Sequence, residues 1–216
     1  MNPRPPFLSI DLDYWCELDF DEAKPFLARA IAAARRSNVK MSAILSHELI
    51  LDHCNAVDAD CFINVDFHSD FVEFSNWKET LLARRSEGDV ELNCGTWAQH
   101  VKKQNRGEFS WRYPHECCFL CSGRCDVDAR AKLFTRGNET KFVSGWNKVK
   151  HRVGLPVVPR KIAGLSICLS PDWISASNLP PIAEWFIAFA KMPDVFFDER
   201  VGEASGDAAA DIFSEI

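Results

Sequence analysis

The sequence predicts an α/β fold, a three-layer αβα arrangement on a mostly parallel sheet. Three observations carry that reading. First, apolar runs of strand length alternate with helical patterns through residues 7–67, and such alternation implies crossover connections and parallel pairing. Second, the alternation returns late in the chain, where KIAGLSICLS (161–170) is followed by the amphipathic PPIAEWFIAFAKM (180–192). Third, each of the first three strand-like runs ends in carboxylate or imidazole residues, at the end where open α/β sheets bind their ligands.

The elements follow in order. FLSIDL (7–12) reads as a buried strand emerging into DLDYW. DEAKPFLARAIAAARRS (21–37) has acids at its start, a proline in its first turn and arginines at its end, a helix whose dipole is complemented at both ends. VKMSAILS (39–46) is a second strand, HELILDHCNAV (47–57) a second helix and CFINVDF (61–67) a third strand. Beyond these, NWKETLLARR (76–85) is expected to be a helix, DVELN (89–93) a strand and TWAQHVKKQ (96–104) a helix, whereas residues 105–150 have no clean period. The acidic, Ala/Ser-rich tail from about 202 to 216 is expected to fray. No internal repeat interrupts the pattern, so residues 1–216 read as one domain.

Composition narrows the function. The 216 residues are 47% hydrophobic, enough for a sizeable core. A net charge of −6 disfavours nucleic acid as a partner and suits a cationic one. MNPRPPFLS has neither the apolar region nor the cleavage site of a signal peptide, and no run reaches transmembrane length. A cytoplasmic protein without a membrane partner is expected, with its nine cysteines as reduced thiols. The oligomeric state is left open.

The chemistry gathers at the strand ends. In FINVDFHSDF (62–71), Asp66, His68 and Asp70 stand at alternate positions and would share one face of an extended chain. Asp11 and Asp13 repeat that spacing after the first strand, and His47 stands where the second strand gives way to a helix. Water could solvate such residues in a polar loop, and His47 alone could be a helix cap. Together, however, four carboxylates and two imidazoles suit Mn²⁺ or a similar divalent ion better than structural zinc. Six ligands fit two ions with bridging carboxylates, and four carboxylates balance two divalent charges.

These motifs resemble the arginase/agmatinase (ureohydrolase) superfamily. DFHSD matches its D-x-H-x-D, which implies that Asp66 bridges two Mn²⁺ ions while His68 and Asp70 bind one each. SIDLD matches its S-x-D-x-D, with Asp11 bridging and Asp13 terminal, and LSHEL resembles its G-G-D-H-S, making His47 the remaining ligand. Here the D-x-D strand precedes the D-x-H-x-D strand, a rearranged order more like the arginase-related group that includes peptide arginases. The resemblance therefore implies an arginase-like fold, and an arginine-containing peptide as substrate, converted to ornithine with release of urea. In the implied mechanism, metal-activated water attacks the guanidinium carbon and Asp70 accepts its proton. Where the family carries a proton-shuttling histidine this chain has Cys94, and His100 is the nearest replacement. Where the family carries the acid that grips the guanidinium, it has Cys168, with Asp172 four residues on.

Several residues have competing readings. Trp15, Trp97 and Trp173 each follow a motif stretch, and they either wall the pocket or pack the core. His115, Cys118, Cys121 and Cys125 within HECCFLCSGRC are a candidate second metal cluster, a zinc knuckle, or simply small apolar residues. His53 reads as structural, and Glu17 and Asp19 as helix-start acids.

Overall fold

The computed structural model describes residues 4–16, 18–68, 70, 92, 94–114, 117–118, 125–126, 146 and 148–200. The segment 76–85, the strand expected at 89–93 (Leu92 aside) and the tail from 202 lie outside the described residues.

Among the described residues, seven strands form one sheet, and every pairing in it is parallel. They are β1 (Phe7–Asp11), β2 (Met41–Ile44), β3 (Cys61–Val65), β4 (Glu108–Tyr113), β7 (Lys148–Val153), β8 (Gly164–Cys168) and β9 (Val195–Phe197). A separate antiparallel ribbon joins β5 (Cys117–Cys118) to β6 (Cys125–Asp126). The order across the sheet is β7-β4-β3-β1-β8-β2-β9. From β1 the chain passes beyond β8 to β2, then returns to the other side of β1 as β3. The carboxyl ends of β1 and β3 therefore lie at a change of direction, where open α/β sheets form their ligand crevice.

Among the described residues, three longer helices accompany the sheet: α1 (Lys24–Ser37), α2 (Ile50–Asn55) and α3 (Leu179–Ala190). Strand alternation separates two buried clusters. Leu8 and Ile10 of β1 and Leu165 and Ile167 of β8 pack with Phe26, Leu27, Ile182 and Phe186 from α1 and α3. On the opposite face, Phe7, Phe62 and Phe109 pack with Ile50 and Cys54 of α2 and with Trp97 and Trp146. Both faces are covered, which is why these strands read as apolar runs and not as a half-polar alternation. α1 begins later than the acids at 21–22 suggest, because Asp19 caps a 3₁₀ turn at Phe20–Glu22 and Pro25 opens the helix proper. It ends at Asn38, in the left-handed region with φ 52°, whose N–H bonds the carbonyls of Ala34 and Arg35.

Residues 96–104 are not the expected helix. They form 3₁₀ turns at Trp97–Gln99 and Lys103–Asn105. Side chains take the carbonyls a helix would need: Trp146 Nε1 donates to the carbonyl of Ala98, and Arg106 donates to those of Gln99 and Val101. Among the described residues, no helix is long and apolar enough to cross a membrane.

Candidate metal centre

β1 ends at Asp11, whose Oδ1 accepts the N–H of Asp13 at 3.1 Å and so caps a 3₁₀ turn at Leu12–Trp15. β3 ends at Val65, and the chain bends through Asp66 to His68 before Asp70 takes up left-handed backbone, φ 58°. The acids are therefore not presented by strand alternation, as their spacing alone implies. Only Asp11 ends a strand; tight turns bring the others inward. His47 opens the 3₁₀ turn His47–Leu49 between β2 and α2.

These turns bring all six residues together in two groups. His47 Nδ1 lies 3.2 Å from Asp11 Oδ2, 3.0 Å from Asp66 Oδ2 and 3.0 Å from Asp70 Oδ2. His68 Nδ1 lies 2.9 Å from Asp13 Oδ2 and 3.8 Å from Asp66 Oδ1. Asp66 thus offers one oxygen to each group, and the trios Asp11, His47, Asp66 and Asp13, Asp66, His68 each lie close enough together to hold a metal ion. The four aspartates and His47 are 3% exposed or less, and the His68 side chain 15%.

The donor set fits a divalent ion. Ser9 Oγ holds His47 Nε2 at 2.7 Å, which leaves Nδ1 to face three carboxylates. Nδ1 makes no hydrogen bond of proper geometry to any of them. Separations of about 3.0 Å are instead those of adjacent ligands around a six-coordinate ion with bonds of about 2.1 Å. A histidine whose far nitrogen is fixed by a hydrogen bond is also the usual form of a histidine metal ligand.

Without a cation this cluster is costly. Burial, with the neighbouring Asp11 and Asp66 carboxylates, pushes Asp13 up to about 7. Burial and Asp70 likewise drive Asp66 well above the carboxylate range. Burial alone lowers the histidines, but the carboxylates outweigh it. Asp70, Asp11 and Asp66 hold His47 well above its ordinary value, and Asp13 and Asp66 raise His68 to about 9. Among the described residues, the ion pairs of these four carboxylates are all with His47 and His68. A bound metal ion would supply the missing positive charge.

Other predicted residues have varied fates. Cys94 and Asp172 line a slot of about 10 Å³, the scale of one water, together with Ser46, Ser170 and Trp173. Trp173 sets its ring edge against His68, with centroids 4.9 Å apart. Cys168 ends β8 opposite Asp11, its Sγ 3.1 Å from Ser170 Oγ. Burial and Asp11 push that thiol well above its usual range, and burial and Asp70 push Cys94 to about 12. Both shifts favour the uncharged thiol, so Cys168 does not reproduce the acid's charge, nor Cys94 a histidine's proton exchange near neutral pH. Trp15 does not wall the slot: it is 1% exposed and packs against Tyr14, Phe20 and Phe26 in the core. The turn after Asp11 points it back under the sheet's other face. His100 closes the turn at Trp97–Gln99 through its backbone N–H. In the cysteine-rich segment, Cys118 lies opposite Cys125 in the β5–β6 ribbon, whereas His115 and Cys121 lie outside the described residues.

Sequence reasoning gave no role to Ser9, Asn64 or Ser170. Ser9 and Asn64 each stand two residues before a ligand, as lone polar residues in apolar runs; that signal was readable. Ser170, which donates to Asp11 Oδ2 at 2.6 Å from left-handed backbone (φ 47°), gave none.

No protein-family model matches the chain, nor does any curated protein or solved structure.

Proposed function

We propose that this protein is a manganese-dependent ureohydrolase that acts on arginine side chains within a peptide, leaving ornithine and releasing urea. One observation carries the reading: two buried ligand groups of aspartate and histidine share Asp66. Its support is the likeness of these motifs to the arginase/agmatinase superfamily and, in their order, to the peptide arginases. Asp11, His47, Asp66 and Asp70 would hold one Mn²⁺ ion, and Asp13 and His68, with Asp66 shared, the other; Asp11, expected to bridge, instead turns its Oδ1 to the Asp13 N–H. Such ions supply Lewis-acid activation of water at neutral pH.

The chain's own residues do the rest. Asp70 accepts the proton of the attacking water at Oδ1, the oxygen that neither Asn64 nor Trp97 engages. Trp173, which lines the slot with Asp172, offers an aromatic surface to a guanidinium cation. Reduced thiols at Cys94 and Cys168 accord with a cytoplasmic setting.

The test is incubation of the purified protein with Mn²⁺ and either an arginine-containing peptide or free arginine, followed by mass spectrometry and a urea assay. The expected product is a peptide lighter by CN₂H₂ at arginine, with matching urea. Faster turnover of free arginine would move the reading to a small guanidino substrate. Bound ions with no urea from either would make the protein a metal-binding interaction protein instead.

A further inference from the structure

We infer that Trp97 is a positioning residue for the ion on the His47 side alone, that Asn64 positions that ion's ligand and the shared Asp66, and that the two ions are therefore unequal. The inference rests on the metal-centre reading above. Its starting point is Asp70, which holds a left-handed backbone conformation (φ 58°). That conformation costs a non-glycine residue about 1 kcal/mol or more and persists only where the surroundings impose it.

The surroundings are three donors. The Ala98 N–H donates to the main-chain carbonyl of Asp70 at 3.1 Å. Trp97 Nε1–H donates to Asp70 Oδ2 at 2.6 Å, and Asn64 Nδ2 donates to the same oxygen at 3.0 Å. Asn64 is wholly buried and reaches Asp66 Oδ2 as well, at 3.1 Å. The turn that grips Asp70 is itself fixed, since Trp146 Nε1–H bonds the Ala98 carbonyl at 3.0 Å. The Trp97 ring packs between His47 and Phe109, with centroids 5.1 and 6.0 Å away.

Register explains how these donors come to lie beneath the ligands. Asn64, Ser9, Ser166 and Ser42 are consecutive partners across β3, β1, β8 and β2, a buried polar row one step below the carboxyl ends. From that row Ser9 holds His47 and Asn64 holds Asp66 and Asp70, while Ser42 and Ser166 bond each other at 2.8 Å. The other side is held differently: Asp13 Oδ1 accepts the Phe67 main-chain N–H at 3.3 Å, and Asp13 Oδ2 pairs with the partly exposed His68. Trp97 thus acts on one ion's ligand, and Asn64 acts on that ligand and on the shared one.

The two side chains should therefore differ in what their loss does. Calorimetric titration of the full chain with Mn²⁺ is expected to give two affinities. Trp97→Phe keeps the ring and loses the N–H, and should weaken one affinity by about ten- to a hundredfold, the usual loss when a ligand's outer partner is removed. The other affinity should stay unchanged. Asn64→Ala should weaken both, and it carries the test alone if Trp97→Phe does not fold. Unchanged affinities in the variant, or equal weakening of both by Trp97→Phe, would overturn the inference. A native chain that binds no Mn²⁺ would instead remove the metal-centre reading, before any variant is compared.

Discussion

The two ends of the sheet pose opposite physical problems. At the amino ends of β1, β2, β8 and β9 an open cavity of about 860 Å³ is lined by Phe7, Met41, Gly164, Val195 and Phe196. At the carboxyl ends of β1, β2 and β3, by contrast, four buried carboxylates and two imidazoles crowd beside a slot of about 10 Å³. The larger hollow is mostly apolar and demands no particular occupant. The small end crowds carboxylates together out of water, an arrangement that a bound cation would offset. Buried charge, more than volume, distinguishes the two ends.

The largest expected effect tests that contrast directly. Asp66→Ala removes the ligand common to both groups, so it should abolish binding of both Mn²⁺ ions. Urea formation should fall by more than about a hundredfold, beyond the loss typical of a mere outer partner. Phe196→Ala, in the amino-end cavity, should change neither, as read by metal analysis and the urea assay. A variant at Phe196 that lost activity, with Asp66→Ala retaining it, would invert the comparison.

Next in size is the behaviour of the metal-free protein with pH. Asp13 has its folded pKa raised to about 7, so its contribution to stability is lost as pH rises from the ordinary 3.8 through about 7. His68 is raised to about 9, and the stability its charged form gives is lost as pH climbs from 6.5 through about 9. Both slopes have the same sign. In the presence of a chelator, the melting temperature should fall steadily between pH 6 and 9. Mn²⁺ at a hundred times its Kd adds about 2.7 kcal/mol and should flatten that slope, because the ions replace the protons. A metal-free melting temperature that rose across this range would contradict the electrostatics of the cluster.

Much of this was legible in the sequence, and the exceptions have physical causes. The first three strands, α1 and α3 were readable because both sheet faces are covered, which leaves unbroken apolar runs bounded by caps and prolines. β4 was overlooked although Phe109, Trp111 and Tyr113 alternate with polar residues, a strand signal lost amid aromatic clutter. β7 is an edge strand whose Lys148, Lys150 and Arg152 read as solvated chain, a common guard against edge pairing. β9, with three residues, is too short for any periodicity. The six residues of the centre were named from spacing, but strand alternation does not bring them together. Turns at Asp11–Asp13 and Asp66–Asp70 do, and short-range turn geometry depends on tertiary bonds such as Trp97 to Asp70 that no local pattern encodes.

Smaller effects sharpen the account of the slot. Trp173 is 37% exposed and touches His68 without offering a ligand atom. Trp173→Ala should therefore reduce kcat/KM for an arginine peptide by about fivefold to thirtyfold, equivalent to the ~1–2 kcal/mol of an aromatic contact to a cation. Mn²⁺ affinity should be unchanged; a matching loss of metal would make Trp173 a support of His68 and not a surface for substrate.

The smallest effect comes from the acid that is not in the centre. Asp198, 4% exposed just beyond β9, is buried like the four ligand aspartates. Arg200 answers it with two bonds, at 2.8 and 2.6 Å, while also reaching Asp52 at 2.7 Å. These hydrogen bonds hold the Asp198 carboxyl below its usual range, so this contribution is present at neutral pH and lost as pH falls through the acid region, the reverse of Asp13. Arg200 is more than half exposed, so solvent screens the pair. Arg200→Ala should then cost about 1 kcal/mol or less, a fall of about 2–4 °C at most in melting temperature, with metal affinity untouched. The contrast sharpens the case for the centre: where the chain keeps a buried carboxylate charged for structure alone, it supplies an arginine. Among the described residues, it supplies none to Asp11, Asp13, Asp66 and Asp70. A melting temperature that fell far more than this, or lost Mn²⁺ binding in Arg200→Ala, would erase the distinction between the two kinds of buried acid.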